Sequence, residues 1–172
     1  MDRYRKSAVE AFEKAETLVR AWLEEECITR VDVYLNGLGD VGDTRCRLTT
    51  DGERKSVHID RNAGSAINKL RGMQALSGRG AWFYSHLWME MPEGVLHQES
   101  DWMCEPDMGF DEVPLGSCKT ELDRYPRDQE FIPDWLRYKV ERWRLERGPV
   151  VARRVAHLEE EFRLEGGKYR YP

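Results

Sequence analysis

The feature that most limits the fold is a pair of short connections. CRLTT (46–50) and KSVHI (55–59) are joined through Asp51-Gly52, a dipeptide suited to the positive φ angles of a tight hairpin. GAWFYSHLWMEM (80–91) is the most apolar stretch. The turn signal Pro92-Glu93-Gly94 follows it, and VLHQES, ending at Ser100, returns as its partner. Parallel neighbours need a crossover of about a dozen residues, so strands joined this closely pair antiparallel. ITRVDVYLN (28–36) adds a strand in which Val31, Val33 and Leu35 alternate with Asp32 and Tyr34, predicting one buried face and one polar face.

Helical periodicity surrounds these strands. Residues 3–25 place Tyr4, Ala8, Ala11, Ala15, Leu18 and Trp22 on one face, with Asp2 able to cap the start. That stripe reads as packing on the chain's own core, which favours a monomer, with a homodimer seam as the alternative. Residues 62–76, capped by Asp60 or Asn62, carry a stripe of Ala66, Ile67, Leu70, Met73 and Leu76 and stop at Ser77-Gly78-Arg79-Gly80. A short helix over 117–125 has Ser117 as its cap and Pro126 as its breaker. Helices over 133–147 and 150–165 follow, and GGKYRYP reads as a frayed tail. The expected architecture is α+β. An antiparallel sheet of about five strands carries helices packed on it, and the C-terminal third is helical. All of this forms one domain over 1–172, with the sheet and its inserted helix in 28–100 and the helical part in 117–165.

Charge narrows the function. The net charge is −5, with 12 basic and 9 acidic side chains in residues 124–172 against 15 basic and 23 acidic in 1–123. An acidic body predicts no nucleic-acid binding, which needs a basic face, and suits basic protein partners. Cys27, Cys46, Cys104 and Cys118 form no CxxC pair, and the four His residues show no metal-ligand spacing, so neither a metal nor a cofactor is expected. MDRYRKSAVEAFEK resembles no signal peptide and no apolar run reaches membrane-spanning length, so the expected compartment is the cytoplasm, with no membrane partner. Gly37-Leu38-Gly39-Asp40-Val41-Gly42 spells a dinucleotide fingerprint, yet a strand rather than a helix follows it, so it reads as a glycine-rich hairpin turn.

The chemically densest stretch is ESDWMCEPDMGFDE (99–112). It carries Glu99, Asp101, Glu105, Asp107, Asp111 and Glu112 without a cation, interleaved with Trp102, Met103, Met108 and Phe110. Three readings compete. As a metal site it lacks the alternation and central Gly of a calcium loop. As a carboxylate-based or metal-dependent hydrolase it would need Asp101, Glu105 and Asp107 to converge in a cleft. Ser85 and His86 point to opposite faces of a strand and form no nucleophile–base pair. As a docking surface, the carboxylates would steer a basic partner while the large apolar side chains supply contact energy.

The run IDRNAGSAINKLRGMQALSGRGAWFYSHLWMEMPEG, then SDWMCEPDM, then ELDRYPRDQEFIPDWL, resembles bacterial immunity proteins of the YezG-like antitoxin family. The resemblance rests on Leu70-Arg71, Gly80-Ala81-Trp82, Glu105-Pro106-Asp107, Tyr125-Pro126-Arg127 and Ile132 to Leu136, and covers roughly residues 59–136. It departs from the family pattern at Ser100 to Cys104. It implies a non-enzymatic inhibitor of a polymorphic toxin's C-terminal domain, often a nuclease, whose basic active site it would block. The expected partner-binding residues are Glu99, Asp101, Trp102, Glu105, Asp107, Phe110, Asp111 and Glu112.

Overall fold

The computed structural model describes residues 2–109 and 112–147, with side chains from Ser7 onward. The Asp2 cap, the Tyr4 side chain, Phe110, Asp111, the helix expected over 150–165 and the tail lie outside what is described. The elements are α1 (Asp2–Glu25), β1 (Arg30–Leu38), β2 (Val41–Thr50), β3 (Glu53–Val57), α2 (Arg61–Met73), β4 (Tyr84–Glu90), β5 (Leu96–Asp101) and α3 (Leu115–Arg124). Residues 134–147 form a further helix, α4. The five strands make one antiparallel sheet in the order β3-β2-β1-β4-β5, an α+β architecture.

The β2–β3 and β1–β2 turns are two-residue hairpins. Thr50 pairs with Glu53 across Asp51 (φ 52°) and Gly52 (φ 79°), positive at both central positions as the right-handed strand twist favours. Leu38 pairs with Val41 across Gly39 and Asp40, so the glycine-rich segment is the β1–β2 hairpin and extends β2 well upstream of Cys46. Gly39 has φ 59°, and a Cβ there would run into the Ser117 carbonyl. Glycine is required at this position both by its conformation and by the approach of α3.

The main core lies between one sheet face and the α1–α2 layer. Val31, Val33 and Leu35 of β1 and Leu87 and Met89 of β4 meet Ala15, Val19 and Leu23 of α1 and Ala63, Ile67 and Leu70 of α2. Each of these Val, Leu, Ile and Met side chains contributes roughly 1.5–3 kcal/mol by leaving water, and the alanines less. The buried line of α1 is Ala15, Val19 and Leu23, while Ala11, Leu18 and Trp22 flank it half-buried. The α2 stripe also ends early. Asp60 caps the helix by accepting from Asn62 N and Ala63 N, the helix closes at Met73, and Met73 and Leu76 stay 40% and 46% exposed.

A second cluster closes one end of the sheet. Leu38 and Phe83 meet Met108 from the acidic stretch, Val113 just after it, Cys118 of α3, and Leu136 and Val140 of α4. α3 begins at Leu115 after Pro114, so Ser117 sits inside the helix and donates its hydroxyl to Asp40 Oδ1 (2.8 Å) instead of capping. No helix among the described residues is long and apolar enough to cross a membrane.

Candidate functional site

The acidic stretch leaves the edge strand β5 and folds back over the end of the sheet. Its first acids stand out from it. Glu99 is exposed on β5 with no cation beside it among the described residues. Asp101 is exposed too, and its Oδ1 accepts from Met103 N (2.7 Å) and Cys104 N (3.1 Å), forming the turn that redirects the chain. The later acids are tied to the chain's own cations. Asp107 pairs with Arg45 (3.2 Å) and accepts from Gly109 N (2.9 Å). That backbone bond first, and then Arg45, hold its carboxyl below the ordinary value. Glu105 and Glu112 flank the buried Lys139 of α4 at 3.2 and 3.1 Å, and Glu112 also meets Arg142 at 2.7 Å. Burial works to lower the Lys139 ammonium, but its hydrogen bonds to Glu112 and Glu105 outweigh that and raise it. Lys139 in turn is the main reason the Glu112 carboxyl is lowered.

The apolar residues of the stretch divide in the same way. Met108 and Pro106 are buried, whereas Met103 is 45% exposed. Trp102 is half-buried under the Arg79 guanidinium, 5.2 Å from its ring centroid. The predicted residues therefore fall into two groups. Glu99 and Asp101 face outward at the sheet edge, and Asp107 is exposed beside its arginine. Glu105 and Glu112 clamp α4. Among the described residues, no group of three His, Cys, Asp or Glu side chains is arranged to hold a metal ion, so Asp101, Glu105 and Asp107 do not converge.

The sheet face opposite α1 and α2 bears a group of residues that, Glu99 apart, the sequence did not point to as a site. Alternation along β1, β4 and β5 puts Asp32, Tyr34, His86, Trp88, His97 and Glu99 on this face. Near-parallel rings run across it. Tyr34 stacks on His86 at 4.5 Å, His86 on Trp88 at 4.9 Å and Trp88 on His97 at 5.2 Å. Asp32, expected on a solvated face, is 2% exposed, because Arg30 (2.7 and 2.8 Å) and His86 Nε2 (2.9 Å) donate to its carboxylate. The Arg30 bond is the main cause of its lowered pKa, against the opposing effect of burial. A cleft of about 580 Å3 lies between this face and the acidic stretch, with Tyr34, Arg45, Tyr84, Cys104, Glu105 and Asp107 in its walls. Burial raises the Tyr84 phenol, helped by Tyr34, Cys104 and Glu99. It pushes the Cys104 thiol to about 11, with Asp101 adding to the rise, which leaves no reactive thiolate there. The period-two pattern of YSHLWME was the signal that would have found the ring ladder.

A buried ionic knot joins the sheet to α3. Glu121, fully buried, accepts two bonds from Arg71 Nη2 (2.8 Å each) and one from Gly39 N (2.7 Å). Arg127 lies 3.8 Å away and donates to the carbonyls of Ala81, Trp102 and Phe131. Burial pushes its guanidinium down to about 10, against the opposing pull of Glu121. Arg71 also donates to Trp82 O (2.8 Å) and lies over the Tyr125 ring (4.9 Å). Of the residues that carry the resemblance noted above, Arg71 and Arg127 thus meet at one carboxylate, and Trp82 and Tyr125 contact Arg71. No family model and no curated protein matches the chain.

Proposed function

We propose that this protein is an immunity protein: a non-catalytic inhibitor that binds a basic toxin domain, of which a nuclease is the best-fitting kind, through the acidic edge where β5 enters the 99–112 stretch. The observation that carries the reading is the exposure of Glu99 and Asp101 at that edge, beside Met103, with no cation paired to either among the described residues. Carboxylates left free in water keep the long-range field that speeds encounter with a cationic cleft, and an adjacent exposed thioether supplies contact area. The resemblance of the motif residues to YezG-like immunity proteins points the same way. Glu105 and Glu112 then act as internal anchors, and the docking role falls on Glu99, Asp101 and Asp107.

The test pairs Glu99→Lys with Asp101→Asn, which retains the acceptor that forms the Met103–Cys104 turn. The expected outcome is at least a tenfold loss of affinity for the C-terminal toxin domain sought in the adjacent reading frame. Protection of cells expressing that domain should fall with it, while the melting temperature stays unchanged. Full protection by this variant would overturn the proposal.

A further inference from the structure

We infer that the free edge of β5 is a strand-addition site for an extended partner segment in which basic and apolar residues alternate. This deepens the reading above and rests on it, since it names the form in which the basic partner docks.

The backbone supplies the first argument. β5 ends the sheet, and no described strand pairs with its outer side. Leu96 donates its amide to Glu16 Oε2 of α1 (3.1 Å) rather than to β4. Alternation along a strand then directs the amides of Gln98 and Ser100 outward as well. Outside the sheet ladder, neither amide has a backbone partner among the described residues. Native edges are usually blunted by Lys, Pro or a bulge. β3, the opposite edge, carries Arg54 and Lys55, whereas β5 reads LHQESD, with no Lys, Arg or Pro; its charges are both acidic, and Glu16 takes the Leu96 amide alone among the described contacts.

The side chains supply the second argument, because the two faces of β5 differ. On the open face, Glu99 and Asp101 flank the added strand, and neither β4 nor β5 contains a Lys or Arg. On the helix face, a groove of about 480 Å3 runs beside β5, walled by Ala8, Met73, Leu76, Gln98, Ser100 and Trp102. Met73 and Leu76 continue the apolar stripe of α2 past its buried end and remain exposed in this groove. The Trp102 indole N–H is buried and has no acceptor among the described residues. The groove floor is held rigid by paired amides. Gln74 and Gln98 exchange hydrogen bonds (2.7 and 2.9 Å), and Gln98 also donates to Ser85 and Ser100. A strand laid on this edge places alternate side chains over Met73 and Leu76 and the others beside Glu99 and Asp101. Main-chain bonds give such a complex its affinity and the two faces give it its selectivity.

The experiment uses the full chain and the peptide acetyl-KVRIKV-amide, followed by calorimetry and amide hydrogen exchange. The amides of Gln98 and Ser100 should exchange quickly in the free protein and become protected at least tenfold on binding. The same peptide N-methylated at alternate residues, its charge-reversed counterpart EVEIEV and the non-alternating KKRVIV should each bind at least tenfold more weakly. Leu76→Asp and Glu99→Lys should weaken binding about fivefold or more, with unchanged melting temperature, because both side chains are exposed. Amides already protected in the free chain, equal binding of the N-methylated peptide, or no binding would overturn the inference. If peptide binding fails while the chain still protects cells in a Glu99- and Asp101-dependent way, the edge is wrong and the docking reading stands. If peptide binding succeeds while the charge variant protects fully, the immunity reading falls instead.

Discussion

Single side chains show how far environment sets reactivity here. Burial pushes the thiols of Cys46, Cys104 and Cys118 to about 12, 11 and 11, with Asp32 and Asp101 adding to the first two, whereas Cys27 is exposed after α1. The thiolate is the attacking form, so iodoacetamide at pH 8 should label Cys27 roughly tenfold or more faster than the other three. Peptide mapping of the native protein checks this, and equal labelling of Cys104 would show its site to be open. Asp32 illustrates why residue-level reading from pattern stops short. Alternation correctly placed it on the face opposite Val31 and Val33. Arg30, two residues away on the same strand face, was a local clue, but nothing local announced that His86, 54 residues away in the chain, would join it and take the carboxylate out of water.

Elements were legible wherever their cause was local. The Asp51-Gly52 and Pro92-Glu93-Gly94 turns fix two hairpins through backbone chemistry alone, and the Asp60 cap sets the start of α2. Helix faces were less so. Leu18 and Trp22 flank the buried line of α1 because Val19 and Leu23 lie under the sheet. α3 starts at Leu115, ahead of Ser117, because that serine is needed by Asp40 across the β1–β2 turn. The anchoring of α3 was invisible, since Arg71 and Glu121 are 50 residues apart. Glu121→Gln keeps an acceptor for the Gly39 amide but leaves Arg71 and Arg127 buried without a counter-charge. It should cost about 3–5 kcal/mol, measured by urea unfolding. A loss under about 1 kcal/mol would mean that the carboxylate is not what compensates these guanidinium groups.

At the scale of the whole molecule, part of the acid set expected to serve a partner is tied into the fold. Six carboxylates within 14 residues suggested one surface. In space Glu105 and Glu112 turn inward to Lys139 and Arg142, cations supplied by a helix that begins more than twenty residues later. Carboxylates paired in this way, in the stretch and on the sheet, have a pH signature. Asp32 lies below its ordinary 3.8, mainly through Arg30, and Glu112 below its ordinary 4.5, mainly through Lys139. The folded chain therefore binds fewer protons than the unfolded chain as these groups titrate. Their contribution is complete above those ordinary values and fades as pH falls through the lower folded ones. Stability by urea unfolding should be level near neutrality and decline below about pH 4.5. Asp32→Asn should flatten the part of the decline below 3.8. An unchanged slope in that variant would show that the Arg30 pairing contributes nothing.

The knot at Glu121 also governs how the chain may be divided. A protein ending before Leu115 would keep five strands and two long helices, the parts that look sufficient by themselves. It would still leave the Arg71 guanidinium and the Gly39 amide pointing at an emptied spot with nothing anionic to receive them. Shortened versions made to isolate the sheet should therefore precipitate or melt early, and binding studies are best done with the later helices retained.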